Sequence, residues 1–320
     1  MKLIRFVGLI LLVLSSSAWA QTYPDKSKVI KIIVPFGPGS GTDLFARAVG
    51  NALNAKSGVA VIIDNKPGAE GVIGMSAAKS SPPDGYTMVM GNIGTQVLNV
   101  HMLPNLAYDP VADFIPVYGM AKFTNVLNAT ASLPYKGARE FIEAAKKNPG
   151  KYRFGSATTM TRLQVELLQK LAGIELEQIP YRSMADATTA LVRGEIDVLM
   201  NDAITADPFY KAGRIHPLAV AGAERMARLP DVPTFREQGV KDYEFTGWIA
   251  VYFPAKTPTP IVTAMQELLK DALKAPNVTE TMARAAYEPL NLSGQQLIAL
   301  QRADSDKVSK LVGSAPRQPR

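Results

Sequence analysis

The run Val29-Ile30-Lys31-Ile32-Ile33-Val34, followed by Pro35-Phe36-Gly37-Pro38-Gly39-Ser40-Gly41-Thr42-Asp43, constrains this chain more than any other stretch. The β-branched run reads as a buried strand. Leu44, Phe45, Ala48, Val49 and Leu53 then recur near helical spacing. A strand that passes through a glycine-rich turn into a helix leaves backbone N–H groups converging on one spot. The helix dipole adds about half a positive charge there, so the turn suits an anion. A dinucleotide fingerprint is the first competing reading, but Thr42 stands where its third glycine is required, and no Lys follows for a P-loop. A tight turn without a ligand is the second.

The pattern repeats. Val59 to Ile63 is a second apolar strand, running through Asn65-Lys66-Pro67-Gly68-Ala69-Glu70-Gly71 into a helix through Met75 to Lys79. Tyr86 to Met90 is a third, emptying into Gly91-Asn92-Ile93-Gly94-Thr95-Gln96. Such units predict a parallel sheet with helices on its faces and ligands at the carboxyl ends of its strands. Beyond Asp109-Pro110, strands are expected at Ile115 to Ala121 and Val126 to Thr130, and a helix at Gly137 to Lys147. A second α/β series follows: strands at Tyr152 to Ala157, Gln178 to Tyr181, Ile196 to Met200 and His216 to Ala221, with helices carrying Leu163 to Leu171 and Ala185 to Val192. Phe245 to Phe253 is a long apolar run containing Trp248, and helical segments run from Pro260 to Val312. Two α/β lobes explain this order: residues 21–120 with 245–320 as one discontinuous lobe, and 121–244 as the other, the chain crossing near Met120 and Glu244.

The first twenty residues read as a secretory signal peptide, with Lys2 and Arg5 ahead of an apolar stretch from Phe6 to Leu14 and Ala18-Trp19-Ala20 as the cleavage site. Cleavage after Ala20 leaves 300 of 320 residues and lowers the formal charge from +7 to +5. No Cys lies beside that site for a lipid anchor, and no later apolar run is long enough to span a bilayer. The absence of Cys anywhere rules out disulfides, thiolate metal sites and Cys nucleophiles. Basic residues are dispersed among acidic ones, which argues against nucleic acid. His101 and His216 are the only histidines, and Ser40 sits in Gly39-Ser40-Gly41 rather than a G-x-S-x-G elbow, so catalysis finds no support.

Several motifs together resemble the Bug (TctC-like) receptors, the periplasmic solute-binding components of tripartite tricarboxylate transporters. They are the stretch from Val34 to Asp43, Asn65-Lys66-Pro67-Gly68-Ala69, Pro82-Pro83-Asp84-Gly85-Tyr86-Thr87, Tyr108-Asp109-Pro110-Val111-Ala112-Asp113-Phe114, Pro180-Tyr181-Arg182, Leu229-Pro230-Asp231-Val232-Pro233-Thr234 and the region around Trp248. The likeness covers essentially the whole mature chain. It implies an α/β, two-lobed periplasmic binding protein of Venus-flytrap, type II-like fold with a cleft between the lobes. It also implies capture of a small carboxylate, di- or tricarboxylate and aromatic ones included, and delivery to a membrane permease of one large and one small subunit. The expected protein is a periplasmic monomer without cofactor or metal, not an enzyme and not membrane-anchored. A sensor docking on a histidine kinase and an exported hydrolase are the rival functions.

Carried over by resemblance, the first-lobe ligand contacts are Phe36, Gly37, Gly39, Ser40, Gly41, Thr42, Asp43, Gly94 and Thr95, and the second-lobe contacts are Ser156, Ala157, Thr158, Thr161, Tyr181 and Asn201. The resemblance also implies that the first loop grips one ligand carboxylate through backbone N–H groups and bridging waters. The chain departs from the family where a glycine-containing loop ends in His: here Thr158-Thr159-Met160-Thr161-Arg162-Leu163-Gln164 lacks both glycines, and Gln164 replaces the His. An Asp-Asn pair common in the family is reversed as Asn201-Asp202. From chemistry alone, Arg162 is the candidate countercharge for a second carboxylate, with a solvated surface residue as the competing reading, and Arg182 divides evenly between the two. Thr42 and Asp43 suit helix capping, and Asp43 should face away from an anionic ligand. Trp248 and Phe36 suit the core more than ligand stacking.

Overall fold

The computed structural model describes residues 23–312. The leader expected at 1–20 and the tail from Ala315 lie outside the described residues. In chain order, β1 (Val29–Val34), α1 (Gly41–Ser57), β2 (Ala60–Asn65), α2 (Val72–Lys79) and β3 (Thr87–Asn92) form the opening units. A π turn, Gly94–Leu98, then passes into the short α3 (Asn99–Met102). There follow β4 (Phe114–Thr124), β5 (Val126–Thr130), α4 (Ala138–Lys147), β6 (Arg153–Ser156) and α5 (Thr159–Ala172). Next come β7 (Glu177–Pro180), α6 (Met184–Arg193), β8 (Val198–Asn201), α7 (Ala203–Lys211) and β9 (Ile215–Val220). The last part holds β10 (Thr246–Pro254), α8 (Thr259–Ala272), α9 (Pro276–Ala285), β11 (Glu288–Ser293) and α10 (Gly294–Val312).

These strands form a six-stranded sheet, β11-β4-β10-β3-β1-β2, and a five-stranded sheet, β7-β6-β8-β5-β9. In the first, β1 pairs in parallel with β2 and β3, while β10 is antiparallel to β3 and β4. In the second, β6 is parallel to β7 and β8, and β5 runs antiparallel between β8 and β9. Both sheets are therefore mixed rather than wholly parallel as the sequence suggests for the first. Parallel units bring the turns after β1, β2, β3 and β6 to the ends that face the other sheet, where a ligand is expected.

Only Asn125 separates β4 from β5, so the chain changes sheets a little past Met120. The crossover is tied to the two other passages: Ala221 N–H donates to the Asn125 carbonyl at 2.9 Å, and Phe245 N–H to the Ala221 carbonyl at 2.8 Å. Three segments thus run side by side between the sheets. Gln164, at the family's His position, ties down this crossover, because its side-chain oxygen accepts from Asn125 Nδ2 at 2.9 Å and its carbonyl from the Tyr243 hydroxyl at 2.9 Å. Phe45, Tyr252 and Phe253 are fully buried on the first sheet, and Phe141 and Phe154 on the second. Trp248 is a core residue as expected, 3% exposed, with its Nε1–H donated to Asp304 of α10 at 2.8 Å.

Two elements escape the sequence reading. α7 contains Pro208, which argues against a helix, yet Asp202 caps its start by accepting from Thr205 N–H at 2.9 Å. β11 interrupts the expected helical run because it pairs with β4 at the sheet edge, a nonlocal contact that no local periodicity announces. α2 reaches its place because Gly74 lets it lie on the first turn: a Cβ there would stand 2.7 Å from Pro35 Cα and 3.0 Å from the Lys66 carbonyl oxygen. Gly74→Ala is expected to cost about 2 kcal/mol through this overpacking, read as a lower urea midpoint with an unchanged m-value.

Candidate functional site

The turn after β1 is spent largely on itself. Ser40 is the N-cap of α1, accepting from Asp43 N–H at 3.3 Å, so the capping hydroxyl is Ser40 and not Thr42. Asp43 faces away from the cleft, as its charge required. Its carboxylate accepts from Gly39 N–H at 2.8 Å, from Asn65 Nδ2 at 2.9 Å and from the Arg47 guanidinium at 3.0 Å. Ser40 N–H returns to the Gly37 carbonyl at 3.2 Å. At the first residue of the helix, the carboxylate of Asp202 reaches across from the second sheet and packs against Gly41. Gly41 permits this approach: a Cβ would strike the Tyr287 hydroxyl and lie 2.7 Å from Asp202 Oδ2. A carboxylate of the chain itself thus stands at this helix start.

A second carboxylate bridges the sheets in the opposite sense. Ala69 and Glu70 take left-handed backbone angles, φ 46° and 59°, at a cost of about 1 kcal/mol each. The turn is held by Gly71 N–H on the Gly68 carbonyl at 3.0 Å and by Asn99 Nδ2 on the Glu70 carbonyl at 2.9 Å. It aims the Glu70 carboxylate at the Thr159 hydroxyl of α5, which also stands 2.7 Å from Asn99 Oδ1. Asp202 thus reaches into the first sheet's turn, and Glu70 out to the second sheet's helix.

Three cavities that share lining residues occupy the space between the sheets. The innermost, about 70 Å³, is lined by Phe36, Ser40, Gly41, Thr42, Gly94, Thr95, Thr158, Thr161 and Asn201 of the expected residues. It is also lined by Glu70, Asn92, Asn99, Phe123, Asn125, Thr159, Met160, Met184, Asp202 and Tyr287, to which the sequence reading gave no ligand role. A cavity of about 640 Å³ takes in Gly37, Gly39, Ala157 and Arg182. One of about 580 Å³ takes in Ser156, Ala157, Arg162, Tyr181 and Arg182, with Glu70 again on its wall. The expected residues therefore gather on one cleft, apart from Asp43. A larger cavity of about 940 Å³, lined by Val100, Leu103 and Val111, draws no wall from the second sheet and is not this site.

Among the second-sheet residues, Thr158 and Thr161 form a capping box at the start of α5, with Thr161 N–H on Thr158 Oγ1 at 3.2 Å. Ser156 Oγ accepts from Gln178 Nε2 at 2.8 Å, and Asn201 Oδ1 from Asp202 N–H at 2.9 Å. Arg162 stands 3.7 Å from Glu166, and its buried Nε–H has no hydrogen-bond partner. Burial pushes the Glu166 carboxyl up, opposed by Arg162 and assisted by Glu70. Burial likewise raises Asp202 above its ordinary value, against the lowering donors of Thr205 and Gly41. Glu70 carried no sequence signal beyond a glycine-flanked turn. Tyr287 carried none, since it arrives from the far end of the chain.

A polar cleft between two mixed α/β sheets joined by parallel crossovers defines a two-lobed periplasmic binding protein. Residues 45–315 match the tripartite tricarboxylate transporter family receptor family, TctC, and the chain belongs to that family. It is 32% identical over 317 residues to a UPF0065 protein of Bordetella pertussis, covering 98% of this chain and 97% of that one. The fold is similar to Rpa4515 of R. palustris with adipate, at a TM-score of 0.86 and 31% identity over 90% of this chain and 99% of that one. It is also similar to MatC of Rhodopseudomonas palustris with bound malate, at 0.83 and 26% identity over 89% and 98%. The family comprises solute-binding receptors, not enzymes. Among the described residues, no helix is long and apolar enough to cross a membrane.

The raised Asp202 carboxyl has a pH consequence. A carboxyl whose folded pKa lies above its unfolded value holds its proton longer in the folded chain, so stability falls as pH rises from 3.8 through the raised value. Asp202→Asn, which keeps a capping side chain, should remove that slope. The difference in urea-unfolding free energy, variant minus wild type, should grow from pH 4 to pH 7; a flat difference would contradict burial of the acid.

Proposed function

We propose that this protein is an extracytoplasmic receptor that captures a small carboxylate in the cleft between its lobes and delivers it to a tripartite tricarboxylate transporter. The observation that carries the reading is the cleft itself, walled by polar side chains from both sheets. Similarity to the adipate-bound and malate-bound proteins supports the carboxylate. In this reading, residues 21–120 with 245–320 and residues 121–244 move as two bodies about the passages at Asn125, Ala221 and Phe245. The ligand favours the closed arrangement by its differential affinity for it. The closed face is what a permease of one large and one small subunit recognises. The chain acts as a monomer in the periplasm after cleavage following Ala20.

Thermal unfolding of the mature protein against mono-, di- and tricarboxylates tests the reading. A ligand at a hundredfold excess over its Kd stabilises by about 2.7 kcal/mol, a rise of several degrees in Tm. Failure of every carboxylate to raise Tm would overturn it. Gly41→Ala provides a structural check. Its methyl group displaces the Tyr287 hydroxyl within one lobe and obstructs Asp202 of the other at closure but leaves α1 intact, so ligand affinity should fall by about tenfold or more while Tm without ligand changes by only a few degrees.

A further inference from the structure

The ionisable side chains that wall the innermost cavity are Glu70, Asp202 and the buried phenol of Tyr287; none of its described lining residues is Lys, Arg or His. A dicarboxylate seated there would bring its inner carboxylate against two protein carboxylates with no cation to offset them. Like charges brought together away from water repel far more strongly than in solution. The helix N-terminus that would otherwise attract that carboxylate already has the Asp202 carboxylate packed against its first residue, Gly41. In the adjoining cavity the charge reverses. The cavity that shares Glu70 is lined by Arg162 and Arg182, and the buried Nε–H of Arg162 lacks a hydrogen-bond partner. Glu166 stands 3.7 Å from that nitrogen, beyond hydrogen-bond range.

We propose that the ligand is a zwitterion, a carboxylate at one end and a protonated amine at the other, with the ammonium held between Glu70 and Asp202 and the carboxylate directed to Arg162. This rests on the receptor reading above and narrows its ligand class from di- and tricarboxylates to amino-carboxylates. An ammonium supplies three donors to a pocket rich in acceptors: the two carboxylates and the amide oxygens among Asn92, Asn99, Asn125 and Asn201. A guanidinium offers the carboxylate two parallel hydrogen bonds. Glu70 and Asp202 then act as specificity residues.

The test is calorimetric titration of the mature protein with ligands matched in carbon count, the ω-amino acids β-alanine to ε-aminocaproate against the dicarboxylates malonate to adipate. Alkylamines and monocarboxylates of the same lengths serve as controls. The expected result is that the best ω-amino acid binds at least about tenfold more tightly than the dicarboxylate of its length. Glu70→Gln and Asp202→Asn, each checked for an intact melting transition, should bring that ratio toward parity. Arg162→Ala should weaken amino acid and monocarboxylate alike and leave the alkylamine unchanged. Dicarboxylates binding as tightly as, or more tightly than, their amino counterparts would overturn the zwitterion and leave the receptor reading standing. An alkylamine binding as well as the amino acid would overturn the carboxylate half. Binding by none of the compounds would overturn the zwitterion; loss of the receptor reading as well requires the wider carboxylate panel to fail.

Discussion

The close approach of the Asp202 carboxylate to Gly41 brings the two sheets together at the glycine-rich turn after β1. A helix N-terminus presents unpaired N–H groups and a positive dipole end, and an unfilled one inside a closed cleft is costly. Here a buried acid meets it, itself held by Thr205 N–H and Oγ1 at 2.9 Å. The acid's charge and the helix dipole thus face one another across the two sheets. The absence of a side chain at Gly41 makes the contact sterically possible.

The reciprocal bridge from Glu70 has a different origin. Its turn is strained, with Ala69 and Glu70 both left-handed, and strain of this kind persists where surrounding contacts over-determine the backbone. Asn99 supplies one such contact through the Glu70 carbonyl, and its side-chain oxygen also meets Thr159. Asn99 opens α3, directly after the turn that carries Gly94 and Thr95. The loops after β2 and β3 are therefore linked to each other and to α5 through one amide side chain. The crossover between the sheets lies at another wall, where Asn125 connects the backbone passages to Gln164.

Much of the scaffold was legible because it is locally encoded. The strands β1, β2 and β3 are β-branched or apolar runs, α1 and α5 carry repeated apolar spacing, and the glycine-rich turn between β1 and α1 lies where it was expected. The gathering of Phe36, Ser40, Gly41, Thr95, Thr158 and Asn201 on one cavity follows from the same logic, since parallel units place their loops at one end of the sheet. α7 and β11 were hidden by a proline and by a nonlocal pairing. Glu70 and Tyr287 were hidden because burial of a charged turn residue, and delivery of a C-terminal side chain to an N-terminal loop, leave no periodic trace.

The turn from Pro35 to Asp43 shows where the division lies. The sequence alone determined that this segment is a helix start able to hold an anion, because glycine spacing and helix polarity are properties of neighbouring residues. It also determined that Asp43 turns away, since a carboxylate in the first turn of a helix serves the dipole. Only the tertiary structure decided which carboxylate of the chain stands there. Asp202 is more than 150 residues away in the chain, and its approach depends on two sheets closing on one another. Charge placement within a cleft is a property of that closure, which brings Glu70 and Asp202 to one cavity and Arg162 to the next.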